Sequence, residues 1–170
     1  MKNWRITPNG ATQAAVLAGP GAVAWLVPNE EDVRALRAEG QNAFMAWGEF
    51  STRHADRLRG FSGLLLVGVT VDDAGAFEAR HRWRVLTDGV LSARQVQFRA
   101  PSSDLWEGAT VADHFAEGYG LADLRRVSLR AMRSAIEREE DRRRVRSVGD
   151  GPFATFPRGR DVQIGSVVAR

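Results

Sequence analysis

From Phe77 to Arg99, apolar and polar residues alternate on both sides of Asp88-Gly89. An Asp-Gly pair between alternating runs is the strongest short hairpin signal a sequence carries. Taken as the turn, it sets Val85, Trp83 and His81 opposite Ser92, Arg94 and Val96 on one face. Arg84, Arg82 and Arg80 then lie opposite Ala93, Gln95 and Gln97 on the other, and Glu78 meets Arg99 as a cross-strand ion pair. The preceding run, GLLLVGVTVD at 63–72, reads as a third strand joined through Asp73-Ala74-Gly75. This predicts a three-stranded meander over 63–99. One face is apolar, with Trp83 almost fully buried. The other carries the arginines, with Arg82 pointing outward, and also receives Leu64 and Leu66.

The remaining pattern predicts further elements. Residues 3–8 and 22–27 have strand composition, and 12–18 read as a strand or a short helix. Residues 30–47 read as one helix: Asn29 caps it, Glu30, Glu31 and Asp32 suit its dipole, and Val33, Leu36, Ala43, Phe44 and Trp47 make its apolar stripe. Short helices are expected at 51–59 and from Thr110 to about Gly118, with a loop at 101–109 between. A long helix is expected from about Leu121 to Arg146, apolar in its first half and charged in its second. Residues 162–169 close the chain as a strand. The order is roughly β-β-α-β-β-β-α-β. It predicts a single α+β domain over residues 1–170, with a mainly antiparallel sheet and helices packed on at least one face.

Charge changes this picture in one place. The formal net charge is only +3, and Lys2 is the only lysine among 24 basic residues. Arginine keeps its proton at any ordinary pH, so the high isoelectric point reflects residue choice more than charge excess. Residues 142–160 are the exception, with six arginines against Asp150 alone. No apolar run approaches membrane-spanning length, and the N-terminal stretch has no signal-peptide core. The absence of cysteine fits a reducing compartment, and a cytoplasmic location is expected.

Catalytic and metal-binding motifs are missing. His54, His81 and His114 fall in separate elements without HxH or HExxH spacing, and no G-x-S-x-G elbow occurs. Gly19-Pro20-Gly21 lacks the Lys-Ser/Thr of a phosphate loop, and VGDGP at 148–152 reads as a turn. No catalytic residue, metal ligand or cofactor is assigned, and no enzymatic activity is expected.

Two roles follow. The first is an assembly or adaptor protein that self-associates, or docks a protein partner, through the mixed sheet face of Leu64, Leu66, Arg80, Arg82, Arg84, Gln95 and Gln97. Arginine is enriched in interfaces, and an apolar strip rimmed by polar groups fits one. The alternative is DNA or RNA binding by the basic segment. There Arg142, Arg143, Arg144, Arg146, Arg158 and Arg160 would hold phosphates, and Phe153 and Phe156 would stack on bases.

Overall fold

The computed structural model describes residues 5–6, 21–46 and 49–149. Its centre is a six-stranded sheet in the order β1-β3-β2-β4-β5-β6. The strands are β1 (Arg5–Ile6), β2 (Val23–Val27), β3 (Ala43–Ala46), β4 (Leu64–Gly68), β5 (Val96–Ala100) and β6 (Arg125–Val127). Every pairing is parallel except β5 with β6. The expectation of a mainly antiparallel sheet is therefore wrong. The helices are α1 (Glu30–Ala38), α2 (Thr52–Asp56), α3 (Asp73–Thr87), α4 (Val111–Ala116) and α5 (Arg133–Gly149).

The meander is where the sequence reading fails. Residues 73–87 are the helix α3, begun by Asp72, whose side chain accepts from the Gly75 amide. Arginine at every second position suggested a strand. The positions that face the core are instead Ala76, Ala79, Trp83 and Leu86, spaced by three and four residues as a helix requires. Gly89 has φ +74° and turns the chain out of the helix, so Asp88-Gly89 ends a helix rather than joining two strands. Trp83 is half-buried against the core instead of fully enclosed, and Arg82 is half-buried instead of outward.

Two other helices were drawn too long. The one expected over 30–47 stops at Ala38. Gly40, with φ +74°, sends its amide to Arg37 O, and the Gln41 amide donates to Leu36 O, which closes a Schellman cap. Ala43–Ala46 then form β3. The helix expected from Leu121 is split: Leu121–Asp123 make one 3-10 turn, β6 follows and pairs its arginines with the end of β5, and the α-helix is Arg133–Gly149. The short helix after Thr110 lies where its cap placed it, and the one expected over 51–59 is shorter, Thr52–Asp56. The elements expected at 3–4, 7–8, 12–18, Trp47 and 162–169 lie outside the described residues.

Both faces of the sheet are covered. On one, Ala24, Leu26, Phe44, Leu65, Val67, Val96 and Phe98 pack against α2, α3 and the start of α5. On the other, Trp25, Val27, Ala43 and Leu66 pack against Val33 and Leu36 of α1 and Val111 of α4. This double burial is why β4 reads LLLVG without alternation. Among the described residues, no helix is long and apolar enough to cross a membrane.

Candidate functional site

The chain leaves β2 for β3 on one side, then crosses back to β4 on the other. The helix following β2 and the helix following β4 pack on opposite faces of the sheet. The ends of two adjacent parallel strands therefore diverge. In open parallel sheets, ligands occupy the crevice beyond the carboxyl ends at this switch point.

Three tight structures line that edge. At β2, Asn29 caps α1 by accepting from the Asp32 amide at 2.8 Å. Asp32 is fully buried. One of its oxygens accepts from Asn29 Nδ2 at 3.0 Å, the other from the Ala112 amide at 2.7 Å. Asp32 thus ties the start of α1 to the start of α4. Burial pushes its carboxyl up to about 6, against the lowering pull of the Ala112 hydrogen bond.

Beyond β4, Asp72 uses Oδ1 twice, accepting from the Gly75 amide and from Thr70 Oγ1 at 3.1 Å. Gly75 has no room for a side chain: a Cβ would stand 2.1 Å from Thr70 Oγ1 and 2.4 Å from Thr70 O. Gly75→Ala must move the loop, and we expect it to cost about 1–3 kcal/mol by thermal melts, as overpacking does. A smaller loss would mean that the loop yields.

Loop 101–109 closes over this edge. Trp106 O accepts from the Ala109 amide at 3.2 Å, and Gly108 between them has φ +86°, the conformation a type II turn requires. A Cβ on Gly108 would lie 3.2 Å from Asp72 Oδ2, so the turn rests on that oxygen's side of the carboxylate. Trp106 is 56% exposed and Val71, just before Asp72, is 44% exposed. Tryptophan is seldom left so open without a partner.

Asp73, next to Asp72, is committed elsewhere. Arg138 grips it with three hydrogen bonds from Nε and Nη2, and Arg142 adds a fourth. Its carboxyl is held below the usual range chiefly by the Arg138 hydrogen bond. This clasp fastens α5 to the first turn of α3. Arg143 over the Phe77 ring at 4.0 Å and the Arg80–Glu140 pair extend it.

The chain has no match among protein-family models, curated proteins or solved structures.

The strip expected on a sheet face does not form. Leu64 and Leu66 belong to β4 and pack with the α1–α4 side. Arg80, Arg82 and Arg84 lie on α3: Arg80 pairs with Glu140 and Arg84 is exposed. Arg82 Nε is buried without a hydrogen-bond partner; burial pulls the group below the usual arginine range, against Glu78 and Asp32. Gln95 lies outside the strands and donates to Phe61 O, while Gln97 is half-buried in β5. Within the basic segment, Arg142 and Arg143 are already paired with Asp73 and Glu139. Arg144 reaches Asp141 only at 3.8 Å, and Arg146 is exposed. Phe153, Phe156, Arg158 and Arg160 lie outside the described residues.

The histidines are engaged in structure. His54 Nδ1 meets Ser51 Oγ at 2.9 Å in the cap of α2. His114 Nδ1 accepts from the Ser102 amide and its Nε2 contacts Gly120 O, while His81 Nε2 contacts Phe50 O. Among the described residues, no group of three or more metal-ligating side chains gathers.

Sequence reasoning missed Asp72 and Trp106. The signal for Asp72 was there: an apolar run ending in DDAG is a buried strand followed by a helix cap. Trp106 stood out only as an aromatic in a polar loop.

Proposed function

We propose that this chain is a binding protein that takes a nucleobase-like ligand at the carboxyl edge of its sheet. The observation that carries the reading is Trp106, exposed on the turn that rests against Asp72 at the switch point. An open indole offers a stacking face, and base–aromatic stacking is worth about 1–3 kcal/mol. Asp72 Oδ1 is spent on its cap, whereas Oδ2 has no hydrogen bond among the described residues and can accept from a ligand N–H. The reading keeps the nucleic-acid chemistry expected from the sequence and moves it from the basic segment to this edge. The assembly role has lost the strip that motivated it.

The test is calorimetric titration with uncharged nucleosides. Trp106→Ala should weaken binding by at least about tenfold and change stability by less than about 0.5 kcal/mol, because the side chain is largely exposed. Asp72→Asn preserves the cap, since Asn and Asp cap equally well, but replaces the free acceptor with a donor. It should change which nucleosides bind. Equal affinities in the parent and Trp106→Ala, or no binding at millimolar nucleoside, would sink the reading.

A further inference from the structure

Asp104 and Glu107 put acid on the same loop as Trp106, and the cation that Glu107 interacts with, Arg138, is already bound to Asp73. Counter-charge not committed to a carboxylate lies elsewhere on the edge. The candidate is the end of β5, where Arg99 stands opposite Arg126 of β6 in the antiparallel register. Directly opposed residues share a face and bring their side chains within a few ångströms, and like charges so placed repel.

Three further observations bear on this pair. Neither arginine has an ion-pair partner among the described residues, although many arginines of α5 do. Their face of β5 and β6 is only partly covered, with Gln97 half-buried beside them. Phe98 and Val127, one residue away on each strand, point into the opposite core, while the α1–α4 core draws no residue from either strand. Arg126 is exposed and Arg99 half-buried. The base of the patch is also firm: Arg125 Nε donates to Pro101 O at 2.9 Å, fixing β6 to the first residue of the Trp106 loop.

We infer that Arg99 and Arg126 form a phosphate site for a single-stranded nucleic acid whose base is held at Trp106. Two guanidiniums side by side, without a carboxylate and on a rigid ladder, fit an anion with several acceptor oxygens. The site rests on the nucleobase reading only for the ligand's other half. The acidic loop and the basic strand pair would orient the strand, base toward Trp106 and backbone toward β6. The repulsion between the arginines is relieved when the phosphate arrives.

The probe is a fluorescently labelled oligothymidylate, followed by anisotropy over a range of salt. Arg99→Ala/Arg126→Ala should weaken binding by about tenfold or more and flatten the log–log salt slope by about 1.4, the value for two phosphate contacts on a single strand. Arg84→Ala/Arg94→Ala removes the same charge from exposed positions at the opposite edge, and should leave slope and affinity nearly unchanged. Uncharged nucleoside should bind the Arg99→Ala/Arg126→Ala protein as it binds the parent. Equal losses in the two double variants would overturn the site in favour of diffuse charge. So would competition by polyglutamate as effective as that by unlabelled oligonucleotide. If nucleoside binding is absent but the Arg99/Arg126 effect persists, the base site fails and the phosphate site stands. If nucleoside binds and the oligonucleotide ignores Arg99 and Arg126, the reverse holds.

Discussion

Leu66→Ala should destabilise the protein by about 3 kcal/mol, nearly as much as Leu65→Ala. The two residues point to opposite faces of β4. Leu65 is fully buried beneath the α3 side, and Leu66 is buried beneath α1 and α4. In a sheet with one wet face, one of these truncations would be nearly silent. In a sheet covered twice, each removes several buried methyl groups and leaves a cavity the neighbours cannot fill. A domain's stability is typically about 5–15 kcal/mol, so either change consumes a large share of it. Urea unfolding of both variants decides the matter. A cost under about 1 kcal/mol at Leu66, with the full cost at Leu65, would mean that the second face is not packed.

The same strand shows what the sequence disclosed and what it hid. GLLLVGV is nearly continuous in apolar residues, the mark of a parallel strand buried on both sides, and helices rather than hairpins connect parallel strands. Reading it as amphipathic required Leu64 and Leu66 to sit among arginines, and that conflict was itself the warning. In α3 the misleading feature was charge. Arg80, Arg82 and Arg84 repeat every two residues, but the apolar residues Ala76, Ala79, Trp83 and Leu86 repeat as a helix does. Burial selects the apolar pattern, while a long arginine can reach water from most helical positions. Local signals with specific chemistry did better: Asn29 and Thr110 each begin the helix they suggest. The glycines that end helices, Gly40 and Gly89, were there to be seen. Gly40 falls inside the single helix read over 30–47, and Gly89 reads as half of a hairpin turn.

The site was less legible, because it joins residues far apart in the chain. Asp32 and Ala112 meet across 80 positions, and Arg99 faces Arg126 only because β6 runs antiparallel. Neither spacing is a motif. Both follow from the strand order, which the hairpin reading had wrong. The basic segment shows the converse. Its arginines were conspicuous in sequence, yet Arg142 and Arg143 serve the clasp on Asp73 and Glu139. Arg99, expected to pair with Glu78 across a hairpin, has no such partner, since Glu78 lies on α3 toward Arg143; Arg99 and Arg126 are free of ion pairs among the described residues.

Stability should fall by about 3 kcal/mol between about pH 4 and about pH 7 on account of Asp32 alone. The carboxyl stands near 6 in the fold, against an ordinary 3.8. Two units at about 1.4 kcal/mol each give that figure. The sign follows from which state holds the proton more tightly. Here it is the fold, so the contribution is complete below the unfolded value and is lost as pH rises through about 6. Asp73, Glu139 and Glu140 work in the opposite sense, because arginines hold them low, and their contribution is lost on acidification. The total profile mixes the two, so the informative quantity is the parent's stability minus that of Asp32→Asn. Asparagine still offers an acceptor to the Ala112 amide but cannot ionise; its amide must face Asn29, a cost that does not depend on pH. The difference should move by about 3 kcal/mol toward the variant between the two pH values. A flat difference would show that the charge on Asp32 is fully compensated where it lies. The Ala112 amide can donate to Asp32 in either protonation state, so the tie between α1 and α4 survives the titration. Nucleoside affinity at Trp106 should therefore hold steady through the same interval while stability falls.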